Sequence, residues 1–163
     1  MAAFGHVYEH SPWIAESAYD KGLDARHDTA KGLAGFMEET VATAGDDAKL
    51  ALLRAHPDLA GKLAMTGALT RSSSREQSGA RLDQCSPEEF AAFTELNARY
   101  REKFGFPFIL AVRDHDRAAI LRIFSNRVEN DSETELTEAL QQVNRIAALR
   151  IADAMSNGDD HVS

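Results

Sequence analysis

The sequence has a single cysteine, Cys85, only four prolines, and no apolar run long enough to cross a bilayer. One cysteine excludes an intramolecular disulfide and makes a reducing compartment the expectation. A membrane-spanning helix needs roughly 20 mostly apolar residues. The first residues also lack the basic region and continuous apolar stretch of a signal peptide. His161-Val162-Ser163 is not an S-K-L type of peroxisomal address, so a cytoplasmic protein is expected. An excess of basic charge is missing too: 18 Lys and Arg against 26 Asp and Glu give a formal net charge of -8. That balance argues against nucleic acid or an acidic membrane as a partner. An anionic small substrate remains compatible, because a local pocket can differ from the net field. Convincing strand pairs, internal repeats, low-complexity tracts and linkers are likewise absent. What remains is enough chain for one core, expected as an all-α, single-domain multi-helix bundle over residues 1–163.

Helix signals recur along the chain. Ser11-Pro12-Trp13 reads as an N-cap with proline in the first helical position, and the helix should reach about Lys21, with Gly22 after it. Asp28 or Thr29 opens a second helix, with Leu33, Phe36, Met37 and Val41 as its apolar stripe. Gly45-Asp46-Asp47 breaks it and starts a third. Ser86-Pro87-Glu88-Glu89 combines cap, proline and capping-box glutamate. Phe90, Phe93, Leu96, Tyr100 and Phe104 then follow at spacings of three and four, and Gly105 stops the helix. Asn97 lies near that stripe, where a buried amide needs partners, either structural or from a ligand. Asp114 or Asp116 opens the next helix, carrying Ile120, Leu121, Phe124 and Val128. Ser132-Glu133-Thr134-Glu135 reads as a further capping box, opening a last long helix to about Met155. Between helices, Phe106-Pro107-Phe108-Ile109-Leu110-Ala111-Val112 is apolar and carries a proline. It reads as a short buried extended segment, whose backbone polar groups a small amide-rich ligand could satisfy.

The chemistry-bearing stretch runs from His56 to Gln77. It holds Gly61 and Gly67 and few large apolar residues, which suits the wall of a pocket better than a core. Leu50, Leu53 and His56 share a helix face, and Pro57 disfavours helix at His56, so the imidazole should point inward at a helix C-terminus. A helix C-terminus favours the protonated ring and burial opposes it. Such a histidine can act as an acid or base near neutral pH, or can simply be a buried hydrogen-bonding group. Ser73-x-x-Glu76 fits a capping box, and a helix start can also receive a carboxylate. Cys85, before Ser86-Pro87, reads as inert rather than as a thiol activated by a helix start. His6 and His10 have a spacing that could suit a metal but no third ligand nearby, so no metal is expected. Arg150 falls seven residues after Val143 and fourteen after Leu136, which places a guanidinium in an apolar stripe. It must pair structurally, reach water, or grip a carboxylate or carbonyl.

Together these residues resemble the OHCU decarboxylase family, where OHCU is 2-oxo-4-hydroxy-4-carboxy-5-ureidoimidazoline, an intermediate of urate breakdown. The resemblance spans nearly the whole chain. It rests on Ser11-Pro12-Trp13, His56-Pro57-Asp58-Leu59-Ala60-Gly61, Ser73-x-x-Glu76-Gln77, Leu96-Asn97, Tyr100-Arg101, Phe104-Gly105-Phe106-Pro107-Phe108-Ile109 and Ile146-Ala147-x-Leu149-Arg150. The HPDLAG and FGFPFI runs are its specific parts; the segment Ser78-Gly79-Ala80-Arg81-Leu82 matches more loosely. The resemblance implies a helical fold, usually a homodimer, and a cofactor-free carboxy-lyase that forms (S)-allantoin. It carries catalytic roles to His56 and Glu76. Substrate-binding roles go to Pro57, Ser73, Gln77, Phe108, Ile109 and Arg150, with the FGFPFI backbone bonding ring and ureido amides. It further implies that His56, Glu76 and Arg150 converge on one pocket. Two other readings compete: a helical enzyme acting on another cyclic ureide or amide, and a non-catalytic helical binding module. A binding module has no need of this acid–base set, which favours the decarboxylase.

Overall fold

The computed structural model describes residues 4–59 and 86–159. Among them are six α-helices and no strand: α1 (Trp13–Asp20), α2 (Ala30–Ala42), α3 (Asp46–Ala55), α4 (Pro87–Phe104), α5 (Arg117–Arg127) and α6 (Ser132–Asp159). Two 3₁₀ turns, Ala25–His27 and Val112–Asp114, precede α2 and α5. The expected all-α class holds. Two compact units are defined by contacts: Met1–Ala55 with Val143–Ser163, and His56–Gln142.

Local chemistry sets most helix ends. The Thr29 hydroxyl accepts from Gly32 N–H to start α2, and the Asp116 carboxylate accepts from Ala119 N–H to start α5. Ser86 and Glu89 form the reciprocal capping box of α4, satisfying two N–H groups that no helical carbonyl reaches. Gly105 ends α4 at φ +74°, a left-handed conformation in which a Cβ would be strained. Gly32 serves a different need: an added Cβ would lie 1.8 Å from the carbonyl oxygen of Arg26, so only glycine lets the Ala25–His27 turn close against α2.

Three local expectations are corrected. Pro12, not Ser11, occupies the N-cap position of α1, with no side-chain cap; Ser11 is buried, and its carbonyl accepts from Ile14 N–H. Phe90 is exposed, because the buried stripe of α4 is Phe93, Leu96 and Tyr100. The Ser132–Glu135 capping box does not form. Asp131 caps α6, its carboxylate accepting from Thr134 N–H, and those bonds hold its pKa below the usual carboxylate range. Glu135 is thereby released for another partner.

That partner organises the second unit. Arg127 Nε donates to Glu135 Oε1 at 2.8 Å, and Arg127 Nη1 donates to the Ile109 carbonyl at 2.6 Å. Tyr100 Oη donates to Glu135 Oε1 and Asn130 Nδ2 to Glu135 Oε2. A buried charge is tolerated only when paired and hydrogen-bonded, and both conditions are met. The Arg127 guanidinium also lies 4.6 Å from the Phe108 ring centroid, and that ring stacks on Phe124 at 3.8 Å. Phe104, Phe106, Phe108 and Phe124 surround the Tyr100 ring, with centroids 4.6 to 5.9 Å away.

Two outcomes follow from this network. Glu135→Ala leaves the Arg127 charge buried and should cost roughly 3–5 kcal/mol in denaturant unfolding. Burial, and then the Glu135 hydrogen bond, push the Tyr100 phenol above its ordinary value; burial, and then the Glu38 charge, do the same to Tyr8. A raised folded-state pKa means that the native state keeps protons the unfolded chain releases. Stability should therefore be full below about pH 10 and fall as pH rises beyond it. The slope of the denaturation midpoint above that pH should be shallower in Tyr100→Phe.

Candidate functional site

His56 follows the last residue of α3 and is buried, as Leu53 is, while Leu50 on the same face is partly exposed. The inward direction expected from the spacing of three holds. Pro57 and Asp58 come next, outside any helix and both partly buried. Asp58 Oδ2 accepts from Arg101 Nη1 at 2.9 Å, which ties the HPDLAG run to α4. Asp58 Oδ1 is buried without a hydrogen-bond partner among the described residues, and so is Asn97 Oδ1, one helical turn before Arg101.

The FGFPFI run leaves α4 at Gly105 and stays buried from Phe106 to Val112. It is neither helix nor strand, so its backbone must find partners elsewhere. Two come from side chains of the same unit: the Ile109 carbonyl accepts from Arg127, and Ala111 N–H donates to Gln142 Oε1 at 3.0 Å. Phe108 and Ile109 are thus both engaged by Arg127, and the Phe108 ring also stacks on Phe124.

Arg150 lies in the first unit and is buried in the stripe of α6. Its Nη1 donates to Glu9 Oε2 at 3.0 Å and to the Val7 carbonyl at 3.3 Å. The segment before α1 supplies both acceptors. Val7, Tyr8, Glu9 and Ser11 are buried there, and Tyr8 Oη donates to Asn144 Oδ1 of α6 at 2.8 Å. His10, directly after Glu9, has φ +49°, an uncommon conformation for a residue with a Cβ. Glu9 had no signal in the sequence beyond a rule: a buried arginine requires an acceptor.

Ser73, Glu76, Gln77 and Cys85 lie outside the described residues, as do Gly61 and Gly67. Within the first unit a separate cavity of about 350 Å³ is lined by Ala15, Ala18, Tyr19, Leu23, Leu33 and Met37 among others. None of the expected site residues lines it, and its mainly apolar wall offers little to a polar ureide.

The chain matches a known family. The family model described as OHCU decarboxylase covers residues 1–152. The chain belongs to the OHCU decarboxylase family. The 2-oxo-4-hydroxy-4-carboxy-5-ureidoimidazoline decarboxylase of Haloferax volcanii is 42% identical over 155 residues, covering 95% of this chain and 88% of the relative. A solved (S)-allantoin synthase is 33% identical with a TM-score of 0.72, over 94% of this chain and 48% of that one. A solved OHCU decarboxylase, studied in the presence of (S)-allantoin, has a TM-score of 0.73 at 24% identity, over 92% of this chain and 95% of that one, which bears on the fold alone. The HPDLAG and FGFPFI runs both fall inside the span matched by the OHCU decarboxylase model.

The Glu9–Arg150 pair makes a measurable difference. Glu9→Ala removes the carboxylate that pairs with the buried Arg150 guanidinium and should cost roughly 3–5 kcal/mol. Thermal unfolding of the double variant Glu9→Leu with Arg150→Met should recover much of that loss, because apolar groups of similar size replace both charges.

Proposed function

We propose that this protein decarboxylates 2-oxo-4-hydroxy-4-carboxy-5-ureidoimidazoline to (S)-allantoin in urate breakdown, without a metal or organic cofactor. The observation that carries the reading is the family match over residues 1–152, which takes in every residue to which a role is assigned. The burial of His56 directly before Pro57 supports it physically, since an imidazole placed there is desolvated and stiffly held.

The reaction suits a cofactor-free site. Loss of CO2 leaves an electron pair on the carbon bearing the hydroxyl. That pair forms a double bond to the neighbouring ring carbon as the adjacent C=N accepts its own π electrons and a proton. The resulting enol then loses its hydroxyl proton, and the neighbouring carbon gains one on a single face, which sets the chirality. The protein must align the breaking bond with the π system and control three proton movements, onto the ring nitrogen, off the hydroxyl and onto the neighbouring carbon. His56 acts on the hydroxyl or the carboxylate. Glu76, with Gln77, handles the proton reaching the ring. Arg150 holds a ring or ureido oxygen, Ser73 adds a hydrogen bond, and Pro57 with the Phe108 and Ile109 backbone packs the ring and ureido group. Arg127 supports this last role by engaging the Ile109 carbonyl, which fixes the peptide plane.

Residues 1–163 act as one functional domain in this reading, in a cytoplasmic homodimer. Among the described residues no helix is long and apolar enough to cross a membrane.

Freshly generated substrate, offered to pure protein and followed by optical activity, tests the function; racemic product at the spontaneous rate would reject it. Binding without turnover would favour a binding module. His56→Ala should lower turnover per folded molecule by roughly 10²–10⁴-fold. If the histidine is only a core hydrogen-bonding group, the same variant should instead lose about 1–3 kcal/mol of stability and keep its turnover. Denaturation midpoint and chiral product formation, measured side by side, separate the two.

A further inference from the structure

We infer that Asp58 and Arg101 form a strut that positions His56, so that both are positioning residues for the reaction; the inference rests on the role proposed for His56. Arg101 Nη1 and Asp58 Oδ2 meet at 2.9 Å across 43 residues of sequence. Only Pro57, with its fixed φ, separates Asp58 from His56. A displacement at Asp58 is therefore passed to the imidazole with little backbone slack to absorb it.

Arg101 also touches the other motif. Its backbone carbonyl accepts from Gly105 N–H at 2.9 Å, closing α4 where the chain turns into FGFPFI. One residue thus holds the histidine run with its side chain and the start of the FGFPFI wall with its backbone. Both motifs lie in the second unit, so the strut fixes their separation within one compact body.

Stability does not account for the pair. The Arg101 side chain is 53% exposed, and an ion pair so open to water contributes little. The Asp58 side chain is only 16% exposed, and its Oδ1 is buried with no partner among the described residues. Burying a carboxylate oxygen unsatisfied costs stability. An aspartate that loses on one oxygen and gains little on the other is explained by what it holds in place.

The test uses the full chain with Arg101→Ala, Arg101→Lys, Asp58→Ala and the Asp58→Ala, Arg101→Ala double variant. Arg101→Ala and Asp58→Ala should each lower kcat by roughly 10- to 100-fold, the scale of a slightly misplaced catalytic group, with KM nearly unchanged. The double variant should lose no more than either single one, because both break the same contact. Arg101→Lys should recover most of the rate, and the denaturation midpoints should stay close to that of the parent. In ¹³C-histidine-labelled protein the His56 ring signals, assigned by their loss in His56→Ala, should move in Arg101→Ala while those of the other histidines hold. Unchanged kcat in Arg101→Ala, additive losses in the double variant, or unmoved His56 signals would overturn the strut. The ring signals need no substrate. A parent protein inactive on the ureidoimidazoline would therefore reject the proposed function while the NMR comparison still decided the positioning role.

Discussion

A buried arginine with one carboxylate within reach is the constraint on which the second unit depends. Arg127 is desolvated between α5 and the FGFPFI segment, and only Glu135 neutralises it among the described residues. The geometry leaves little freedom: the same guanidinium that binds Glu135 also bonds the Ile109 carbonyl and covers the Phe108 ring. Three problems are thereby solved together. The charge is paired, an irregular backbone acceptor is satisfied, and an aromatic ring gains a cationic neighbour. The FGFPFI segment can then be neither helix nor strand and still have its buried backbone and rings partnered.

Arg150 repeats the principle in the first unit. Its charge is matched by Glu9, delivered by the buried segment before α1 that Tyr8 ties to α6. A guanidinium carries five donors in a fixed fork, so a structural partner on one nitrogen also orients the whole group. Pairing with Glu9 is therefore compatible with the contact proposed between Arg150 and a substrate oxygen. Asp58 and Arg101 differ in kind. Their contact is half in water, contributes little to stability, and makes sense chiefly through the histidine beside it.

Much of the fold was legible in the sequence because helix starts and stops are local events. Thr29, Ser86, Asp116 and Gly105 each act on backbone groups within a few residues, and all four behave as their types predict. Ser132 and Glu135 show the limit of such rules. Their spacing satisfies the capping-box pattern, yet Asp131 takes the cap and Glu135 turns inward to Arg127. A local preference of this kind is worth about 1 kcal/mol, whereas an unpaired buried guanidinium costs several. Burial of the arginine therefore decides where Glu135 goes.

By itself the sequence determined the helical class, the family, the inward face of His56 and the place of Arg150 in the apolar stripe of the last helix. Each is carried by periodicity or by a contiguous motif, and neither requires knowledge of distant parts of the chain. Only the tertiary structure decided which charges meet: Glu9 with Arg150, Glu135 with Arg127, Asp58 with Arg101. The chain offers 26 acidic residues to its 18 lysines and arginines. Nothing in residue type selects among them, because Coulomb attraction depends on distance and desolvation, and both come into being only when the chain has folded.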